Sequence, residues 1–162
     1  MAKIRGQAYY QLMDYRNAVG ELEVAVKSRP SEANLHAFLG RSYFELGDSD
    51  KALPELTQAA QLDRTNRLGL FFAARINLDN GNYPQAVAMA ERAIQSHPQD
   101  TSIRNLLGSA YLGVDRYADA IQQFEVVIQD RPSDATAIYN LGQAHTATEN
   151  WPTATGKRRV WD

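Results

Sequence analysis

The sequence predicts an all-α solenoid in which helix-turn-helix units stack with a period of 34 residues. Three observations favour this fold. Residue types recur at a step of 34 along the whole chain of 162 residues. Apolar residues within a unit recur at the steps of three and four that place them on one helix face. Proline and capping residues interrupt the pattern once per unit. A fixed period of this kind is the signature of a repeat architecture.

The recurrence is clearest in three columns of the sequence. Small residues stand at Gly6, Gly40, Ala74, Gly108 and Gly142. Alanine alone fills a second column, at Ala18, Ala52, Ala86, Ala120 and Ala154. A ring column, broken only by Asn77, holds Tyr9, Tyr43, Tyr111 and His145. No insertion or deletion disturbs the step, so the units are expected to be structurally equivalent.

The first helix of each unit is predicted from its apolar spacing. In the second unit it covers Ala33–Leu46, where apolar side chains recur every three or four residues. Gly47 and Asp48 then interrupt the pattern. Asp48 is a candidate N-cap because its carboxylate can accept a free N–H of the next first turn. The equivalent position holds Asp14, Asn82 and Asn150.

The second helix carries a stripe formed by Ala52, Leu56 and Ala59. Proline ends this helix in three units, since it disfavours helical backbone angles in the preceding residue. These prolines are Pro30, Pro98 and Pro132. The dipeptides that follow suit the N-cap of the next first helix. They are Ser31-Glu32, Thr65-Asn66, Gln99-Asp100 and Ser133-Asp134.

Small residues in these columns indicate that the two helices of a unit cross closely. Gly40 and Ala52 leave room for that approach, and Leu56 is predicted to fill the space beside them. Phe124 takes the place of Leu56 in the fourth unit. One helix pair cannot cover its own apolar face, so neighbouring units must stack into a quasi-one-dimensional array.

The fourth unit carries a family resemblance. Leu107-Gly108-x-x-Tyr111, followed by Ala120-x-x-x-Phe124 and Pro132, resembles the tetratricopeptide repeat. The resemblance implies a right-handed superhelix of about five helix pairs, with first helices lining its concave side. It also implies one array over residues 1–162. We expect its units at about 1–32 (partial), 33–66, 67–100, 101–134 and 135–162 (partial or irregular).

The composition excludes several partners and chemistries. A net charge of −2 provides no general attraction to nucleic acid or anionic membrane. No apolar run approaches the roughly 20 residues that span a bilayer, and the start MAKIRGQAYY lacks the apolar core of a signal peptide. The absence of cysteine excludes disulfides and thiolate chemistry. The compartment stays open between cytoplasm and periplasm.

The sequence contains no pattern typical of an enzyme. We find no phosphate loop, zinc motif or nucleophile elbow, and we expect no metal or cofactor. Of the three histidines, His36 and His145 occupy packing columns and are expected to be half-buried and structural. His97 precedes Pro98 in a connection and has no partner motif.

A binding groove is the better-supported site. We predict that the inner side of the first helices is aromatic and basic in the first half, and rich in amides and hydroxyls in the second. The predicted groove residues are Gln7, Tyr10, Asn34, Arg41, Phe44, Leu68, Phe71, Arg75, Asn105, Ser109, Tyr139 and Gln143. Arg41 and Arg75 could grip a carboxylate as a charge-assisted fork. Alternatively, each could be neutralised by the acid four residues on, Glu45 or Asp79.

Three functions remain open at this point. The leading one is a non-catalytic adaptor that presents the groove to an extended peptide or a partner helix, for instance within a bacterial assembly or secretion complex. The second is a scaffold that self-assembles end to end through uncapped terminal units. The third is a targeting domain of a larger enzyme. We also expect the chain to be an excised piece of a longer repeat protein, with its last ten residues either packed through Trp161 or frayed.

Overall fold

The computed structural model describes residues 1–150, and in this range the chain forms nine α-helices and no strand. The odd-numbered helices are the first helices of the units, and the even-numbered helices are the second ones. Their bounds are α1 Ala2–Gln11, α2 Tyr15–Ser28, α3 Ala33–Glu45, α4 Ser49–Leu62, α5 Arg67–Asp79, α6 Tyr83–Ser96, α7 Thr101–Gly113, α8 Tyr117–Asp130 and α9 Ala135–Asn150. The predictions on Ala154, on Trp161 and on the packing of the last ten residues lie outside the described residues.

A left-handed residue turns the chain from the first helix into the second in units one to four. The four residues stand 34 positions apart and have φ between 58° and 82°: Met13, Gly47, Gly81 and Asp115. Glycine adopts this conformation at no steric cost, whereas a side chain there costs about 1–2 kcal/mol. The turn therefore recurs at the repeat step even where the sequence does not supply glycine.

The predicted N-caps of the second helices are confirmed in part. The carboxylate of Asp14 accepts from the Asn17 N–H at 3.3 Å, and that of Asp48 accepts from the Lys51 N–H at 3.2 Å. Asn82 makes no such bond in α6, whose first turn contains Pro84, a residue without an N–H. The side chain of Asn150 lies outside the described residues.

The caps of the first helices follow the prediction in three units of four. The side chain of Asn66 accepts from the Gly69 N–H at 2.9 Å. Asp100 and Asp134 cap α7 and α9 in the same way, at 2.9 Å and 3.0 Å to the nearest N–H. Glu32 makes no cap bond in α3. Its carboxylate instead meets Lys3 of the preceding unit.

The two helices of a unit cross where a small residue faces a partner of matching size. A Cβ placed on Gly40 would lie 2.7 Å from Leu56 Cγ, and one on Gly6 would lie 2.9 Å from Leu22 Cγ. Gly108 meets the Phe124 ring in the same way, at 2.7 Å. In the third unit both columns hold buried alanines, Ala74 and Ala90. Glycine is thus matched with a large side chain, and alanine with alanine.

The contacts between helices establish the solenoid. Each helix packs against the next along the chain, and each first helix also contacts the first helix of the following unit. The second helices lie farther apart, and one hydrogen bond, from Arg92 of α6 to the Ala60 carbonyl oxygen of α4 at 2.9 Å, links two of them. The first helices are therefore closer together and form the inner side of the array. The predicted all-α solenoid of helix-turn-helix units is confirmed.

Candidate functional site

The inner surface is the side of the array formed by α1, α3, α5, α7 and α9. All twelve predicted groove residues belong to these helices, and none of them is buried in the core. Four are exposed: Asn34, Arg75, Tyr139 and Gln143. The other eight are half-buried, so they present part of their surface while packing against neighbours.

Five rings from three successive first helices form what we call the aromatic cluster: Tyr10, Phe38, Phe44, Phe71 and Phe72. The centroids of Tyr10 and Phe38 lie 4.5 Å apart. Phe72 lies 5.1 Å from Phe44 and 5.1 Å from Phe71, the latter edge to face. All five rings are half-buried. The sequence prediction missed Phe38 and Phe72, although they stand 34 residues apart and could have been found as a column.

Arg41 joins the two parts of the aromatic cluster. Its guanidinium carbon lies 5.5 Å from the Tyr10 ring centroid and 5.2 Å from that of Phe72. Nη1 donates to the Tyr10 hydroxyl at 2.9 Å, and Nε donates to Glu45 at 3.3 Å. Stacking between rings and two hydrogen bonds fix the orientation of the guanidinium.

Arg75 is the more exposed of the two predicted arginines. Its Nε donates to both carboxylate oxygens of Asp79, at 3.0 Å and 2.9 Å. Arg41 and Arg75 therefore each meet the acid four residues on, as the second of the two interpretations of this pair described. A ligand carboxylate would have to compete with Glu45 and Asp79 for these arginines.

The second half of the inner surface is rich in neutral hydrogen-bonding groups. Asn140 donates to the Ser109 hydroxyl at 3.2 Å, which links α9 to α7. Gln143 donates to the Tyr139 hydroxyl at 3.0 Å, and Tyr139 is 67% exposed. The Oδ1 atom of Asn105 is buried and has no donor among the described residues. This half therefore offers hydroxyl and amide groups, as the sequence predicted.

A polar tie joins each unit to the next at one recurring place. The partner in the later unit is always the residue just before its first helix, which the sequence marked only as a cap. The ties are Lys3–Glu32 at 2.6 Å, Asn34–Asn66 at 3.0 Å, Arg67–Asp100 at 2.6 Å and Asn105–Asp134 at 3.2 Å. Asn66, Asp100 and Asp134 therefore both cap a helix and tie it to the preceding unit, whereas Glu32 makes the tie alone.

His36 is a structural residue, as predicted, and it is buried rather than half-buried. Nδ1 lies 2.6 Å from Glu55 Oε2 of the same unit, and Nε2 lies 2.9 Å from the Pro30 carbonyl oxygen. Arg104 occupies the same column and bonds the equivalent pair of elements, Gln123 and the Pro98 carbonyl. Both side chains therefore join their own second helix to the preceding connection.

The other two histidines differ from His36. The prediction for His145 is wrong: the side chain is exposed, because no described residue covers that face of α9. His97 Nε2 lies 3.0 Å from the Thr65 carbonyl oxygen in the previous connection.

Among residues 1–150 no helix is long and apolar enough to cross a membrane. The same residues contain no group of three or more His, Cys, Asp or Glu side chains placed to hold a metal ion.

Two buried tyrosines of the ring column should make the protein sensitive to alkali. Tyr111 donates to Glu91 at 2.7 Å, and Tyr43 donates to Glu23. Burial, reinforced by Glu91, raises the pKa of Tyr111 to about 12, and the pKa of Tyr43 is raised for the same reasons. Because the folded-state pKa is above the ordinary value of about 10, this stabilisation is complete below pH ~10. It is lost as the pH rises from about 10 through the folded pKa.

We expect the free energy of unfolding of the wild-type chain to fall with pH above about 10. In Tyr111→Phe the fall should be shallower, although that variant is less stable near neutral pH by about 0.5–1.5 kcal/mol. Denaturant unfolding at a series of alkaline pH values measures both effects. Tyr83→Phe, at an exposed position at the start of α6, is the control. If the free energy of unfolding falls equally steeply with pH in Tyr111→Phe and in the wild type, Tyr111 is not a source of the alkali sensitivity.

Known proteins share the repeat pattern of this chain. A family profile described as tetratricopeptide repeat matches residues 5–67, 73–135 and 106–155. Superkiller complex protein 3 of Homo sapiens is 28% identical over 108 residues, and that of Mus musculus is 25% identical over the same length. These matches cover 67% of this chain but only 7% of the relatives, so the chain spans a small part of their length.

Several solved structures share the fold. A crystal structure of MamA protein has a TM-score of 0.81 at 20% identity, covering 91% of this chain and 80% of that one. MamA from Desulfovibrio magneticus has a TM-score of 0.80 at 18% identity, with 91% and 85% covered. The first TPR domain of human RPAP3 has a TM-score of 0.65 at 20% identity, with 74% and 94% covered. The chain belongs to the tetratricopeptide repeat family, whose members generally act as non-catalytic scaffolds for protein–protein interaction.

Proposed function

We propose that this chain is an adaptor that binds a segment of a partner protein along its inner surface. The observation that carries the proposal is the position of the aromatic cluster. Five half-buried rings lie on the inner surface, where they pack against the core on one side and remain partly open to solvent on the other. Partly open aromatic side chains supply large contact area at a low cost in conformational entropy and are enriched among residues that dominate binding energy.

The second helices offer no comparable surface among the described residues. Their most exposed large apolar side chains are Val24, Leu62, Tyr83 and Val126, and each stands on a different helix. Apolar side chains scattered singly are normal on a protein surface, whereas a contiguous apolar patch marks an interaction site. The inner surface is therefore the better candidate for the partner.

Affinity selection from a random short-peptide library on the immobilised chain tests the proposal. We expect it to yield peptides whose affinity falls about tenfold or more in Phe71→Ala, since aromatic residues of an interface are the ones most costly to truncate. Fluorescence anisotropy with one synthetic selected peptide measures the dissociation constant. Phe71 contacts Phe72 and Arg67 without being fully buried, so the fold should survive this substitution.

The matched control is Val24→Ala, which truncates an apolar side chain of α2 that is 56% exposed. It should leave the affinity unchanged, and circular dichroism should show the same helix content for both variants. Peptides that bind Phe71→Ala and the parent equally well would refute binding along the inner surface. The self-assembling scaffold and the targeting domain remain predictions beside this proposal.

A further inference from the structure

We propose that the partner segment is uncharged where it lies on the inner surface, with apolar side chains over the aromatic cluster and uncharged polar groups over α7 and α9. This inference rests on the proposed function and specifies the chemistry of the partner. It differs from the expectation that Arg41 and Arg75 grip a carboxylate. The occupant is a neutral segment of another protein.

The first argument is the balance of charge on α1, α3 and α5. All five Lys and Arg side chains of these helices have a carboxylate within 3.3 Å. The pairs are Lys3–Glu32, Arg5–Glu21, Arg41–Glu45, Arg67–Asp100 and Arg75–Asp79. The only acids on these three helices, Glu45 and Asp79, are themselves members of the pairs. No unpaired charge is left there to attract a charged ligand.

A charged side chain of the partner would therefore lose hydration without gaining a free counter-charge. Burial of a charge is costly unless it is paired and hydrogen-bonded. The alternative would be to break an existing pair such as Arg75–Asp79, which leaves one of its members unpaired instead. Electrostatic complementarity at this surface thus means a neutral partner.

The second argument is the nature of the surface at its aromatic end. The guanidinium of Arg41 lies between the rings of Tyr10 and Phe72 and is hydrogen-bonded on two of its nitrogens. A guanidinium held in this way adds a flat, weakly hydrated face to the rings on either side. Leu68 and Leu78 of α5 are also half-buried on this side. Such a floor suits aliphatic or aromatic side chains.

The third argument is the change of chemistry toward α9. Asn140 donates to Ser109 and Gln143 donates to Tyr139, and both hydrogen bonds join uncharged groups. The one basic residue of α7, Arg104, is directed to the Pro98 carbonyl and Gln123. The neutral amides and hydroxyls that remain complement backbone N–H and C=O groups or uncharged polar side chains. The partner should accordingly be apolar at one end and polar but neutral at the other.

Salt dependence separates a neutral partner from a charged one. The dissociation constant of a selected peptide should change by less than about twofold between about 0.1 M and about 1 M salt, where the Debye length falls from about 10 Å to about 3 Å. Replacing the apolar residue of that peptide with aspartate or with lysine should weaken binding about tenfold or more in both cases.

The outcomes distinguish this inference from the function on which it rests. Peptides that depend on Phe71 but are acidic or basic, and that lose affinity steeply with salt, would overturn the neutral partner and leave the adaptor function intact. Peptides that do not depend on Phe71 would overturn both. If sedimentation shows a mass that rises with concentration, and a selected peptide reverses it, the occupant is a second copy of this chain and the inference is wrong.

Discussion

Replacing Phe124 with alanine is expected to lower the free energy of unfolding by about 3–5 kcal/mol. The ring is fully buried, and it lies against the backbone of α7 at Gly108. Truncation would remove the apolar contacts of the ring and leave a cavity that two rigid helices cannot close. A loss of this size is a large share of the 5–15 kcal/mol that stabilises a typical domain. Urea unfolding followed by circular dichroism measures it.

The same site allows a double-mutant cycle. A Cβ on Gly108 would lie 2.7 Å from two atoms of the Phe124 ring, so Gly108→Ala alone should cost about 1–3 kcal/mol through overpacking. The double variant recreates the alanine pair that Ala74 and Ala90 form in the third unit. Its loss should therefore be smaller than the sum of the two single losses by about 0.5–3 kcal/mol. Additive losses would show that the glycine and the ring are not matched to each other.

A second large effect is expected at Gly69, in the first turn of α5. A Cβ there would lie 2.9 Å from the Leu56 carbonyl oxygen and 3.0 Å from both Ala59 Cβ and the Ala60 nitrogen. Two of these atoms belong to the backbone of α4 and cannot rotate away. Gly69→Ala should force the second and third units apart and cost about 1–3 kcal/mol, in spite of the higher helix propensity of alanine.

The matched control for this substitution is Gly20→Ala. Gly20 also lies inside a helix, but a Cβ there would meet nothing within 4 Å. Alanine at this position should stabilise the chain by about 0.5–1 kcal/mol, because glycine has more conformational freedom to lose on folding. Thermal and urea unfolding of the two variants should give shifts of opposite sign. If both variants are stabilised, the close approach of α4 and α5 is not as described.

The helices could be predicted closely because their determinants are local and repeated. The apolar spacing predicted a first helix at Ala33–Leu46, and the structure has it at Ala33–Glu45. Gly69 shows the limit of this reasoning. The equivalent positions of the four units hold Leu35, Gly69, Ile103 and Ala137. Because no residue type recurs there, the repeat pattern did not predict that glycine is required at position 69. The need for glycine arises from the distance between two particular helices, which spacing alone does not encode.

The candidate site was predictable in outline but not in its contacts. The ion pair between Arg41 and Glu45 could be predicted from the sequence, because the two residues lie four positions apart on one helix. The hydrogen bond from Arg41 to Tyr10 spans 31 residues and depends on how two units stack. The contact of Phe72 with Phe44 of the preceding unit depends on the same stacking, although the column that Phe72 shares with Phe38 was visible in the sequence. Contacts between two units can be predicted only when the packing of those units is known.

The unequal contacts on the two sides of the array have a mechanical consequence. The first helices pack against one another and carry one polar tie per junction, whereas among the described second helices one hydrogen bond, from Arg92 of α6 to the Ala60 carbonyl oxygen of α4, links one pair. We therefore expect each junction to be stiffer at its inner edge than at its outer edge. Small rotations at successive junctions add along the array. We therefore expect an array whose pitch can adapt to the length of the segment bound within it.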